Sequence, residues 1–258
     1  MVRKKIVIIG AGNVATHLAK ALDATNDVIA VYSKNISNAE ILSQTLNCAK
    51  PCNDLSALPC DADYYIISVK DDAIRNVAEN TIANSGIWAH TSGSVPANVF
   101  KGLKTKYGVF YPLQTFNKTK DVDISHVPMF IEGNTPEVTN SLISLAQSIS
   151  NKVSVADSTA RKRFHLAAVF ACNFVNHLWS IADEILKDGG YDLSILEPLM
   201  RVTLENATKY GPDNVQTGPA KRGDTHIIKS QIESLNDDEK RNIYKVLTEA
   251  IIRKYNEK

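Results

Sequence analysis

Lys4-Lys5-Ile6-Val7-Ile8-Ile9-Gly10-Ala11-Gly12-Asn13-Val14-Ala15 decides the fold of this chain. The branched apolar run Ile6 to Ile9 predicts a strand buried on both faces, and it leads straight into a glycine turn and an apolar-periodic helix over Asn13 to Leu22. Gly10 permits the tight turn, Gly12 lets the backbone approach a pyrophosphate, and the small Ala15 lets the helix pack on the strand. That helix begins at Asn13 and Val14 and turns its positive end toward the phosphates. The stretch therefore predicts a dinucleotide-binding turn. A plain strand-to-helix turn with no ligand is the simpler alternative.

Working outward, 258 residues with 44% hydrophobic content allow one large domain or two moderate ones with a real core. The 29 basic and 28 acidic residues are spread through the chain and leave a net charge of +1, so no electrostatic footprint for nucleic acid or an anionic membrane stands out. The expected partner is a small molecule. Cys48, Cys52, Cys60 and Cys172 form no C-x-x-C pair and have no histidine beside them, which predicts free thiols and no metal site. Val2 to Gly10 is too short for a signal peptide, and the expectation is a cytoplasmic protein.

Asp27 to Tyr32 predicts the second strand, ending at Ser33-Lys34-Asn35, with a helix over about Ser37 to Leu46. A NAD-preferring site would place an acidic residue at this strand end to bind the ribose 2′-hydroxyl; here a hydroxyl, a cation and an amide stand instead. That favours NADP over NAD, with Ser33, Lys34 and Asn35 as candidate holders of a 2′-phosphate, against the alternative of a solvated loop. Ala62 to Val69 predicts another strand, followed by Lys70 and a helix capped by an aspartate. Gly86 to His90 and Tyr107 to Phe110 follow, each with small and polar residues after it. In open α/β sheets ligands bind beyond the carboxyl ends of strands, which selects Val69 and Lys70 as candidate cofactor contacts and Ser92 and Gly93 as candidate substrate contacts.

Val127 to Ile131 and Lys152 to Val155 predict late strands around a helix over about Pro136 to Ile149. After Ala156 only helices follow, over about Ser158 to Lys187, Leu193 to Tyr210, Thr225 to Leu235 and Asp238 to Tyr255, the last capped by Asn236 or Asp237. The expected organisation is a nucleotide-binding domain over 1–156 and a helical substrate and dimerisation domain over 157–258. Phe164 to Ala182 carries no Asp, Glu, Lys or Arg, but His165, Asn173, Asn176, His177 and Ser180 are costly in lipid, so the helix is expected to lie buried in protein, away from a membrane. Plotted at 100° per residue, its polar stripe holds Arg161, His165, Cys172, Asn176 and Asp183, with Asn173 on the shoulder. These groups are either hydrogen-bonded core residues or, for His165, a proton donor or acceptor with Asn173 orienting a substrate. Gln216 to Asp224 holds Arg222, which either clamps an anionic substituent or belongs to a plain connector capped by Asp224.

With both halves read, the chain resembles a family of Rossmann-like proteins whose helical C-terminal half is classed as a domain of unknown function. The resemblance spans essentially the whole chain and is carried by Gly10 to Ala15, His90-Thr91-Ser92-Gly93, Tyr111 to Phe116, His165 to Phe174, and Thr217-Gly218-Pro219 with Arg222-Gly223-Asp224. More distantly it is similar to pyrroline-5-carboxylate reductase, ketopantoate reductase, prephenate dehydrogenase and the 3-hydroxyacid dehydrogenases. The resemblance implies an NADP- or NAD-dependent oxidoreductase, a homodimer built by the helical domain, substrate contacts at Ser92 and Gly93, and catalytic polar residues at His165 and Asn173. Several hydroxyacid dehydrogenases carry a lysine four residues before the helix asparagine, whereas here that position is Val169. The reading that follows is hydride transfer between a nicotinamide and a small, acidic carbonyl, imine or hydroxy-acid substrate at the junction of the domains. Its rivals are an NADP-binding sensor or scaffold without chemistry and a methyltransferase; the lack of an acidic residue at Ser33 to Asn35 counts against the latter.

Overall fold

The computed structural model describes residues 3–82 and 84–256. In chain order the first part runs β1 (Lys5–Ile9), α1 (Asn13–Thr25), β2 (Asp27–Tyr32), α2 (Ile36–Ser43), β3 (Lys50–Cys52), β4 (Tyr64–Ile67), α3 (Ile74–Glu79), β5 (Ile87–His90), β6 (Tyr107–Pro112), β7 (Met129–Gly133), α4 (Pro136–Gln147), β8 (Val153–Val155) and α5 (Ser158–Ala168). A helical part follows, with α6 (Val175–Asp188), α7 (Glu197–Tyr210), α8 (Pro212–Val215), α9 (Pro219–Arg222), α10 (Thr225–Ser234) and α11 (Asp238–Asn256).

One sheet is ordered β3-β2-β1-β4-β5-β6-β7-β8, parallel from β3 through β6, with β7 antiparallel to β6 and β8 parallel to β7. This is the doubly wound order, in which the chain leaves β1 toward one edge and returns to β4 on the other side. Period-two alternation in β1 explains the two cores. Ile6 and Ile8 pack with Leu18 and Leu22 of α1 and Leu142 of α4, whereas Val7 and Ile9 pack with Val77 of α3, Trp88 and Phe100. Strands covered on both faces need no polar side, which is why Ile6 to Ile9 and Tyr64 to Ile67 are wholly buried. Because β7 runs antiparallel to β6, the connection 113–128 stays at the end of the sheet where β6 finishes.

Several expected details are corrected. The three-residue strand β3 was not foreseen; it pairs with β2 at the sheet edge, too short to show a periodicity. No aspartate side chain caps the helix after β4: Asp71 to Ala73 form a 3-10 turn that leads into α3. The long helix is interrupted by a π-helical segment at Val169–Phe174. Since a π turn takes up extra residues, a wheel at 100° per residue loses phase there. The expected burial of this helix does not hold within the chain: Ser158–Asp188 contains an apolar window long enough to cross a membrane, yet 0% of that window is buried. His165, Asn173 and Asn176 are exposed, and Arg161 alone of the polar stripe is fully buried. Arg161, Phe164 and His165 of α5 meet Glu132, Phe130 and Tyr111 of the sheet.

Two compact units divide at Cys172 and Asn173, later than the change from mixed to helical structure after Ala156. In the second unit Lys240 of α11 pairs with Glu184 of α6 at 2.8 Å, and Tyr244 of α11 donates to Gln231 of α10 at 2.6 Å. Asp237 caps α11 by accepting from the Lys240 N–H at 3.0 Å, and Asp224 caps α10 by accepting from Ile227. The cysteines are free. Among the described residues, no group of three or more His, Cys, Asp or Glu is placed to hold a metal ion.

Candidate functional site

A cleft of about 960 Å³ opens at the carboxyl ends of β1, β2, β4, β5 and β6. Its floor is the turn Gly10 to Val14. Gly10 has φ +125°, and a Cβ there would strike the Ser68 carbonyl beyond β4, so the first glycine is dictated by the neighbouring strand. A Cβ on Gly12 would meet nothing within 4 Å beyond its own chain neighbours. The fold does not require glycine at that position; the free space lies over the start of α1, where no side chain caps the helix. This is a cradle for an anion close to the backbone, with the positive end of a 13-residue helix beneath it. Asn13 accepts from the Lys118 N–H at 3.1 Å, and His17 bonds the Asn117 carbonyl at 2.9 Å, so the connection after β6 is tied down beside the turn.

Ser33 and Lys34, just past β2, line the cleft, as do Val69 and Lys70 past β4. Asn35 does not: its side chain accepts from the Ser37 N–H at 3.1 Å and caps α2, while Asn38 one turn on lines the cleft. Lys34, Lys70 and Lys118 stand against one lining carboxylate, Asp71, which suits a ligand rich in phosphate. Sequence reasoning missed Lys118 and Asn38, because one lies in a long connection and the other inside a helix.

At the other end of the cleft are Ser92, Gly93, Tyr111 and His165. Ser92 accepts from the N–H groups of Ser94 and Val95 at 3.0 and 3.1 Å, which shapes its loop and leaves its own hydroxyl proton to donate. Gly93 sits under an aromatic lid: a Cβ there would come within 2.7 Å of the Tyr111 ring and 3.0 Å of His165. Tyr111 Oη and His165 Nδ1 are 3.2 Å apart. Tyr111 is 7% exposed, and its burial raises the phenol's pKa, with Arg161 opposing and Asp71 adding to the rise. Tyr111 stood in the sequence only as part of an unusual run; as the last-but-one residue of an apolar strand it gave no chemical signal.

Behind this wall lies a buried support. Arg161 of α5 pairs with Glu132 of β7 and donates to the carbonyls of Val95 at 3.0 Å and Ala156 at 3.1 Å. His90, fully buried at the end of β5, accepts from the Ser92 N–H through Nδ1 at 3.2 Å, which places its proton on Nε2. Burial, then the nearby Arg161 charge, lower its pKa to about 3, so it is a neutral imidazole. The Pro96 carbonyl favours a proton on His90 but lies outside hydrogen-bond geometry with Nε2. Asn173 and Arg222, both exposed, belong to the second unit and are not among the residues lining this cleft.

Residues 5–90 match the family model described as NADP oxidoreductase, coenzyme F420-dependent, and residues 127–251 match the domain of unknown function DUF2520. No curated protein matches the chain. Among solved structures, BF3122 of Bacteroides fragilis, a proposed NADP oxidoreductase, is 38% identical with a TM-score of 0.91, over 97% of this chain and 98% of that one. An imine reductase from Myxococcus stipitatus in complex with NADP+ is 12% identical with a TM-score of 0.63, over 98% and 93% of the two chains. A pyrroline-5-carboxylate reductase from Coxiella burnetii is 15% identical with a TM-score of 0.56, over 98% of each; these two likenesses show the shared fold. With the glycine turn, the doubly wound sheet and the helical C-terminal half all in place, the chain belongs to the family of Rossmann-type NADP oxidoreductases that carry this C-terminal domain of unknown function.

Proposed function

We propose that the protein is an NADP-dependent oxidoreductase acting on a small carbonyl, imine or hydroxy acid that bears an acidic substituent. The observation that carries this reading is that Ser33 and Lys34 line the same cleft as the Gly10 to Val14 turn, with no carboxylate at the end of β2. The turn and the start of α1 would hold the pyrophosphate, Ser33 and Lys34 the 2′-phosphate, and Val69 and Lys70 the middle of the dinucleotide. The bound nicotinamide supplies hydride chemistry. The chain's own residues supply the rest. The Ser92 hydroxyl binds the acidic substituent, Gly93 allows close approach, and His165 serves as the proton donor or acceptor. Asn173 as an orienting group and Arg222 as an anion clamp remain part of the proposal.

A homodimer belongs to the same reading. On α6 the exposed apolar Trp179 lies among the exposed polar Asn176 and His177, and α7 exposes Leu199 and Leu204. A second copy of the chain covers such a mixed surface better than lipid does.

Paired titrations with NADPH and NADH test the cofactor site. NADPH is expected to bind at least about tenfold tighter, and changing Ser33 and Lys34 together to Ala is expected to remove the preference. Equal binding of both nucleotides by the unaltered chain would overturn the NADP assignment. NADPH binding without turnover on any carbonyl or imine would favour a sensor.

A further inference from the structure

We propose that Tyr111 is a catalytic residue of this cleft: its hydroxyl gives a proton to the heteroatom of a polarised C=O or C=N group, and His165 returns that proton through Nδ1. This inference rests on the NADP oxidoreductase reading above.

Three observations place the pair. Tyr111 Oη and His165 Nδ1 are 3.2 Å apart, within reach for proton exchange. Both residues line the cleft. Position 93, beneath them, has no room for a Cβ, since one would lie 2.8 Å from the hydroxyl oxygen itself. The two partners also differ in a way that suits a relay. Tyr111 is buried and holds its proton firmly, whereas His165 is exposed and exchanges with water. The charged groups acting on Tyr111 are Arg161, on the same helix as His165 and paired with Glu132 of β7, and Asp71, at the end of β4. His90 behind the loop stays neutral and adds no charge.

The balance is that of a two-electron reduction. A reduced nicotinamide dinucleotide is the hydride source, and a C–H bond forms at the substrate carbon. The π pair of C=X moves onto X, and X takes the proton of Tyr111 Oη. The tyrosinate then takes the Nδ1 proton of protonated His165, and the neutral imidazole is reprotonated by water. Oxidation of the corresponding alcohol or amine runs the same steps backward, with NADP+ as the hydride acceptor.

The test uses the full chain loaded with NADPH. Tyrosine labelled with 13C at Cζ and histidine labelled with 15N are followed by NMR against pH, with Tyr111→Phe and His165→Gln assigning the signals. The Tyr111 resonance is expected to move at the midpoint of His165 and to lose that movement in His165→Gln. In Tyr111→Phe the His165 ring 15N resonances are expected to move, reporting loss of the hydrogen bond. NADPH oxidation is measured in parallel on 2-oxo acids and cyclic imines as probes. Tyr111→Phe is expected to lower kcat by about 100-fold or more and to leave NADPH affinity within about twofold. Independent titration of the two residues, or an unchanged kcat in Tyr111→Phe, overturns the proposal while leaving the cofactor reading standing. Wild-type protein that binds no NADPH, or binds it and reduces no probe, removes the oxidoreductase reading and the proton-donor role together.

Discussion

Gly10 and Gly12 are two residues apart and read alike in a glycine motif, yet different neighbours constrain them. Gly10 is held at positive φ against the Ser68 carbonyl, so its requirement is structural. Gly12 faces open cleft at φ −85°, a conformation open to any residue, so its requirement belongs to the ligand. Gly10→Ala is therefore expected to destabilise the fold by about 2 kcal/mol or more, through backbone strain and a clash with a backbone carbonyl. Gly12→Ala is expected to leave the denaturation midpoint nearly unchanged and to weaken NADPH binding by about tenfold or more. Urea melts and nucleotide titrations on both variants check this; equal stability loss in the two would show that the motif acts as a structural turn only. The motif itself is legible from residue types, whereas the division of labour between its glycines needs the position of β4.

At the scale of elements, α5 is fastened to the sheet by Arg161, which reaches Glu132 of β7 and the loop after β5, and the same loop is held by His90. Unfolded, His90 titrates near 6.5; folded, burial and then Arg161 lower it to about 3. Between those values the unfolded chain binds a proton that the folded chain refuses. The contribution of His90 to stability is thus complete above about pH 6.5 and declines as pH falls toward 3, with a slope of up to about 1.4 kcal/mol per pH unit. His90→Gln is expected to flatten this part of the acid limb. Urea midpoints of both proteins between about pH 4 and 7 check it, and parallel slopes would discount His90. The elements themselves were largely readable, since β2 runs Asp27–Tyr32 as its apolar pattern implies and Asp237 caps α11. The π segment at Val169–Phe174 was not, because nothing in VFACNF distinguishes a widened turn from an ordinary one.

For the whole molecule, the exposed apolar helices predict self-association. Sedimentation is expected to give a dimer at micromolar concentration, and Leu166→Glu with Leu204→Glu is expected to shift it toward monomer without altering the sheet's thermal transition. A monomeric wild-type chain would remove the homodimer from the proposal. This surface is also where reading by composition stops. A charge-free helix signals a need for cover, but the covering partner is not encoded in the helix's own residues, and within the chain the helix is open.

What the sequence by itself determined is the alternation of buried strands and helices, the glycine turn and the lack of an acid after β2, because each depends on neighbours within a few positions along the chain. Tertiary structure alone decided the rest. Asn35 turned to cap its own helix, Lys118 came back beside Asn13, and Tyr111 met His165 across 54 positions of sequence. Those meetings are set by strand order and by the antiparallel return of β7, and a residue's chemical type carries no information about which strand end it will face.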